Sequence, residues 1–182
     1  MFDEFHFAYK TLRGDGSIIA RIDAVEHVHD LTKAGIMVRN TLDPASENVA
    51  VFVTPLKKIA VQHRTTLWGS TSVTITDANS MTLPHWVRLT RKGNQFTTQH
   101  SNDGVQWEAI VDPQDPNKPS SLDVSMNETV YIGLAVTSHN TTRAAEARIS
   151  NVKITGSALP DGPFIHSEDI AFEIPHDNGA DK

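Results

Sequence analysis

The stretch His85-Trp86-Val87-Arg88-Leu89-Thr90-Arg91-Lys92-Gly93-Asn94-Gln95-Phe96-Thr97-Thr98-Gln99-His100-Ser101-Asn102-Asp103-Gly104-Val105-Gln106-Trp107-Glu108-Ala109-Ile110 decides the fold. Apolar side chains alternate with polar ones on both sides of Gly93-Asn94, a pair that enters positive φ cheaply, so residues 85–101 read as a β-hairpin. Asn102-Asp103-Gly104 is a second turn of the same chemistry and makes residues 85–111 a three-stranded antiparallel meander. Three consecutive antiparallel strands point to a two-sheet β-sandwich and away from a parallel sheet.

The same period of two runs outward along the chain. Short segments rich in Val, Ile, Thr and Phe, punctuated by Gly, Pro, Asn and Asp, predict further strands near 5–12, 17–28, 34–40, 47–54, 58–65, 71–76, 129–138 and 145–155. No segment carries the 3.6-residue period of a long helix. Asp112-Pro113-Gln114-Asp115-Pro116 opens a connection over 112–128 whose prolines cannot donate to a ladder. Residues 1–156 therefore form one sandwich domain. Residues 157–182 read as a C-terminal tail or linker stub that packs on the sandwich.

Bulk composition bounds the function classes. A chain of 182 residues with 38% hydrophobic and 21% charged residues has enough apolar material for one packed domain. The formal charge of −6, from 22 acidic and 16 basic residues, repels phosphate backbones, so nucleic acid is excluded as an expected partner. Cysteine is absent, which removes disulfides, thiolate metal sites and cysteine nucleophiles. No run approaches the roughly 20 apolar residues of a membrane span, and no export signal opens the chain, so membrane insertion is not expected.

Several phrases together resemble one family: Phe5-His6-Phe7-Ala8-Tyr9, Gly14-Asp15-Gly16-Ser17-Ile18, Lys33-Ala34-Gly35-Ile36-Met37-Val38-Arg39, Trp86-Val87-Arg88-Leu89, Ser101-Asn102-Asp103-Gly104-Val105-Gln106-Trp107 and Gly133-Leu134-Ala135-Val136-Thr137-Ser138-His139-Asn140. Their order over residues 5–155 is similar to the concanavalin A-like lectin/glucanase jelly rolls, in the branch seen as accessory domains of bacterial secreted and surface proteins. The resemblance implies an all-β jelly roll, carbohydrate binding more often than hydrolysis, and an extracellular or cell-surface home; without a signal in this chain a cytoplasmic one also fits. It allows a calcium ion, although Ser150-Asn151-Val152 stands where relatives often carry an acidic residue. Relatives also begin some strands before Phe5, a place that the segment around 164–174 could fill.

Catalytic patterns are weak. Glu168 and Glu173 lie five apart and would face opposite sides of a strand, with Asp169 turned away from Glu168, so they do not form the same-face carboxylate set of a glucanase. No G-x-S-x-G elbow occurs, and Gly14-Asp15-Gly16 reads as a turn between two strands. His27 and His29 alternate onto one face, as metal ligands would, but no third ligand accompanies them, and an exposed strand end is the plainer reading. Trp86 and Trp107 are read as packing groups.

A recognition surface follows from strand parity. Met37 and Arg39 share one face of their strand and Gln62 and Arg64 one face of theirs, opposite Ile36, Val38, Ile59 and Val61. With the aliphatic faces inward, Arg39, Gln62 and Arg64 are expected to point into solvent and offer planar donors to sugar hydroxyls, against the ordinary alternative of a solvated, charged sheet face. Trp68, in the polar loop Thr65-Thr66-Leu67-Trp68-Gly69-Ser70, offers a ring for stacking on a sugar, or else a loop anchor. His139 and Asn140 would rim the surface. Asn127-Glu128-Thr129 and Asn140-Thr141-Thr142 match glycosylation sequons, a pattern too common to carry weight. The expected function is a non-catalytic accessory module that binds a polysaccharide or surface glycan. A protein-interaction domain is the alternative, and a glycan-active enzyme with an atypical site the second.

Overall fold

The computed structural model describes residues 5–76, 81–115, 121–158, 160 and 162–166, which form an all-β sandwich with no helix among them. Its strands are β1 His6–Val25, β2 Lys33–Arg39, β3 Asn48–Val53, β4 Ile59–Arg64, β5 Ser72–Thr76, β6 His85–Lys92, β7 Gln95–Ser101, β8 Glu108–Ala109, β9 Ser121–Asp123, β10 Thr129–Thr137, β11 Ala147–Ala158 and β12 Ile165–His166. The predicted hairpin is in place, with Leu89 opposite Thr98 and Lys92 opposite Gln95.

The two strands expected at 5–12 and 17–28 are one strand, β1, that belongs to both layers. Residues 6–13 pair with β10, and residues 16–25 pair with β11 on one side, with β6 alongside residues 16–22 on the other. Gly14-Asp15-Gly16 is where the partners change. Gly14 takes φ 77°, which only glycine adopts at little cost, and its N–H donates to the Glu128 carbonyl at 2.8 Å. The first layer runs β5-β4-β3-β2-β10-β1, and the second is built from β11, β1, β6 and β7, with β8 and β9 on β7.

Period-two alternation closes the layers on each other. Ile36 and Val38 of β2, Val51 of β3, Ile59 and Val61 of β4 and Ile132 of β10 meet Ile18, Ile22, Val87, Leu89 and Phe96 of the second layer in one core. The first layer is also apolar on its outer face. Phe7, Tyr9, Met37, Ala50, Phe52, Ala60 and Ala135 form a second cluster there, flanked by Phe5, Leu42 and Tyr131. Stacking of Phe7 on Tyr9 at 5.2 Å and edge contact of Tyr9 with Tyr131 at 5.3 Å hold it together. Gly133 is opposite Tyr9 in the ladder. A Cβ on Gly133 would come within 2.0 Å of the Ala8 carbonyl oxygen.

Three expected boundaries differ. The strand expected at 105–111 shrinks to Glu108–Ala109 because the Asp103 carboxylate accepts the N–H groups of Val105 and Gln106, both at 2.8 Å, and takes them out of the ladder. The connection over 112–128 contains the short strand β9 on β7. Past residue 156, β11 continues to Ala158, and Ile165–His166 pairs with Tyr9 and Ala8, on the side of β1 away from β10. Lys10 donates to the Gly162 carbonyl and lies over the Phe164 ring, fastening this segment.

Two consequences are testable. Gly133→Ala should destabilise the fold by about 2 kcal/mol or more, read as a lower urea midpoint, because the new methyl meets backbone that cannot move aside. His85 is buried, with its Nε2 3.1 Å from His100 Nδ1. Burial, aided by the neighbouring imidazole, pushes the His85 pKa down to about 4; burial also lowers that of His100, against the pull of Glu108. Unfolded His85 takes up a proton below about 6.5 while the folded protein resists until about 4, so stability should be full above pH 6.5 and fall by about 2–3 kcal/mol as pH drops through that window. Urea titrations at several pH values should show this slope, and His85→Leu should flatten it.

Candidate functional site

The parity reading places Ile36, Val38, Ile59 and Val61 in the core, as expected, but the opposite face is not a solvated surface. Arg39 and Arg64 are only 2% and 1% exposed, which corrects the expectation that they point into solvent. The reason is the second apolar cluster and the β2–β3 loop at its margin. The Arg39 guanidinium lies over the Phe5 ring at 5.1 Å, and donates to the Thr41 carbonyl at 2.7 Å and to that of Asp43.

Arg64 acts as a clamp between loops. It donates through Nε to the Gly69 carbonyl at 3.1 Å, through Nη1 to those of Pro44 and Ser46, both at 3.1 Å, and through Nη2 to Thr71 Oγ1 at 2.9 Å. One buried cation thereby joins the β2–β3 loop to the β4–β5 loop, spending its fork of donors on loop acceptors. Glu47 adds a second tie: its carboxylate accepts the Leu67 N–H at 3.0 Å and the Asn40 side-chain amide at 3.1 Å. Asn40 in turn accepts the Asn127 N–H at 2.7 Å.

The product of these ties is the placement of Trp68. Its N–H donates to the Ala45 carbonyl at 3.1 Å, its backbone sits at φ 64°, and its side chain is 60% exposed beside the exposed Leu67. A left-handed backbone at a large aromatic residue costs conformational free energy.

The other expected residues lie elsewhere. Gln62 is half-buried on the outer face of the first layer, opposite Ala50 and Val73 in the ladders. His139 is at the opposite end of the sandwich, on the β10–β11 loop at φ 54°, stacked on His29 at 4.9 Å. Thr32 links those loops by donating to the Ser138 carbonyl at 2.8 Å. His27 bonds Asp30 at 2.8 Å and His29 Nδ1 accepts the Leu31 N–H, so the His27–His29 pair is engaged locally. Among the described residues no group of three His, Asp or Glu is arranged to hold a metal ion, and Asn151 of the Ser150-Asn151-Val152 stretch sits at φ 51° on β11. Glu168, Asp169 and Glu173 lie outside the described residues.

Trp86 and Trp107 pack, but on the outside of the second layer. Both are half-buried; the Arg88 guanidinium lies over the Trp107 ring at 4.3 Å while donating to Gln99 Oε1 at 2.8 Å, and Gly104 lies against Trp86. Arg88 escaped the sequence reading, although Trp86 and Arg88 share an outward parity that marks them as neighbours on one face.

No family model matches the chain, and no curated protein does. Solved structures do. A functionally unknown protein from Saccharomyces cerevisiae superposes with a TM-score of 0.65 at 16% identity, over 88% of this chain and 77% of that one. The GH43 protein BlXynB from Bacillus licheniformis superposes with a TM-score of 0.52 at 12% identity, over 77% of this chain but only 27% of that one. The likeness is one of fold: the chain is an all-β, two-layer antiparallel jelly-roll sandwich.

Proposed function

We propose that the chain is a non-catalytic carbohydrate-binding module whose contact surface is the loop end of the sandwich that carries Trp68. One observation carries the reading: Trp68 is 60% exposed, yet the loops around it are fixed by the buried Arg64 and by Glu47. Rigid exposed indoles suit the apolar C–H face of a pyranose, since stacking then requires little further ordering. Around the ring, the loop polar groups Thr65, Thr66 and Ser70 offer hydroxyls to a sugar edge. Recognition thus moves from the sheet face to the loop end, with Arg39 and Arg64 as supports and Trp68 as the contact. An accessory role accords with the fold, which makes up about a quarter of the longer GH43 protein.

A glycan array followed by calorimetric titration of the saccharides that bind tests this. Trp68→Ala should weaken binding about tenfold or more, the equivalent of 1.4 kcal/mol, while leaving the circular dichroism spectrum and urea midpoint nearly unchanged. Arg64→Met should weaken binding and also lower stability by roughly 3 kcal/mol, because three loop carbonyls and the Thr71 hydroxyl lose the guanidinium at once. Retention of full affinity by Trp68→Ala, or no saccharide bound by the intact protein, would overturn the proposal.

A further inference from the structure

Strand β5 terminates the first layer among the described residues, with β4 on one side and no strand on the other. Its outward residues Val73 and Ile75 are 49% and 43% exposed. A strand edge of this kind presents unpaired N–H and C=O groups, and proteins ordinarily blunt it with charge, proline or a cover. Three other marginal strands carry charge: Glu108 on β8, Asp123 on β9, and Arg148 and Lys153 on β11. By contrast the run Thr65-Thr66-Leu67-Trp68-Gly69-Ser70-Thr71-Ser72-Val73-Thr74-Ile75-Thr76 contains no charge.

The sequence of β5 is also complementary to itself. Reversed about Thr74, Ser72-Val73-Thr74-Ile75-Thr76 sets hydroxyl against hydroxyl at the ends and Val73 against Ile75 between them. Cross-strand pairs of β-branched residues are the stabilising unit of a sheet, and a two-fold axis through Thr74 would form two Val–Ile pairs at once. The Val111 carbonyl accepts the Thr76 hydroxyl at 3.1 Å, which ties the end of β5 to the segment after β8.

We propose that β5 is a docking edge for a second copy of this chain, pairing antiparallel about Thr74 so that the first layers of two molecules join into one continuous sheet. The contact is short and therefore reversible, in the class of small interfaces whose occupancy follows protein concentration. It uses the strand edge and leaves the Trp68 loop end open, so it stands apart from the carbohydrate reading.

Sedimentation velocity over about 1 to 200 µM protein should show the species at 20.0 kDa giving way to one of twice that mass. Val73→Lys, which sets a charge against an apolar partner at an already exposed position, should shift the dimerisation midpoint upward at least tenfold without altering the circular dichroism spectrum. Because the chain holds no cysteine, Thr74→Cys supplies a single thiol on the proposed axis. A short bismaleimide should couple it to its mate many-fold faster than it couples Val105→Cys, whose position is 78% exposed and remote from β5 in sequence. A monomer at every concentration, a dimer indifferent to Val73→Lys, or equal coupling of the two cysteine variants would overturn the proposal. Trp68→Ala should leave the dimer intact, so loss of sugar binding and loss of pairing are read separately.

Discussion

The molecule depends on one strand serving two sheets. Because residues 6–13 of β1 pair with β10 while residues 16–25 pair with β11 and β6, neither layer can slide in register without dragging the other. A slip of one residue would turn Ile18, Ala20 and Ile22 out of the core, so burial and register enforce each other. The change of partners at Gly14 to Gly16 also gathers the loops of one end. Gly14 bonds the Glu128 carbonyl there, Asp15 accepts the Gly93 N–H at 2.7 Å, and Arg91 reaches the carbonyl of Asn127 at 2.7 Å.

That end of the sandwich shows how buried cations shape a surface without forming it. Arg39 and Arg64 each donate to loop carbonyls, and each fixes a connection between strands. Burial of a guanidinium is tolerated when its donors are spent on acceptors that would themselves be unpaired. Trp68 inherits its fixed position from this arrangement. The opposite end, with its stacked His29 and His139, has ring contacts and short polar ties, but no clamp of comparable depth among the described residues.

Period-two patterning made the core and the hairpin legible, because burial between two sheets acts on each strand locally. Ile36, Val38, Ile59 and Val61 were assignable on parity alone. The same reasoning misplaced Arg39 and Arg64, since parity says which face a side chain takes and nothing of what folds over that face. The cover comes from Phe5, Leu42 and the 40–47 loop, contacts whose sequence spacing carries no period. A signal was nevertheless present: Phe7, Tyr9, Met37 and Phe52 alternate on the face assigned to solvent, and so many large apolar groups there foretell a second buried surface. Likewise Gly14 to Gly16 read as a turn between two strands because a glycine-flanked aspartate gives the same local signal whether the chain leaves the sheet or passes from one layer to the next.

The account rests on an exposed tryptophan held by a rigid loop, and native-state hydrogen exchange resolved by residue tests it directly. The N–H groups of Leu67, Trp68 and Gly69, which donate to Glu47, Ala45 and Thr66, should exchange slowly, with protection approaching that of β4. Exchange of these three amides at the rate of an unstructured peptide, while β4 stays protected, would show a loose loop and contradict the idea that Arg64 presents Trp68 for recognition.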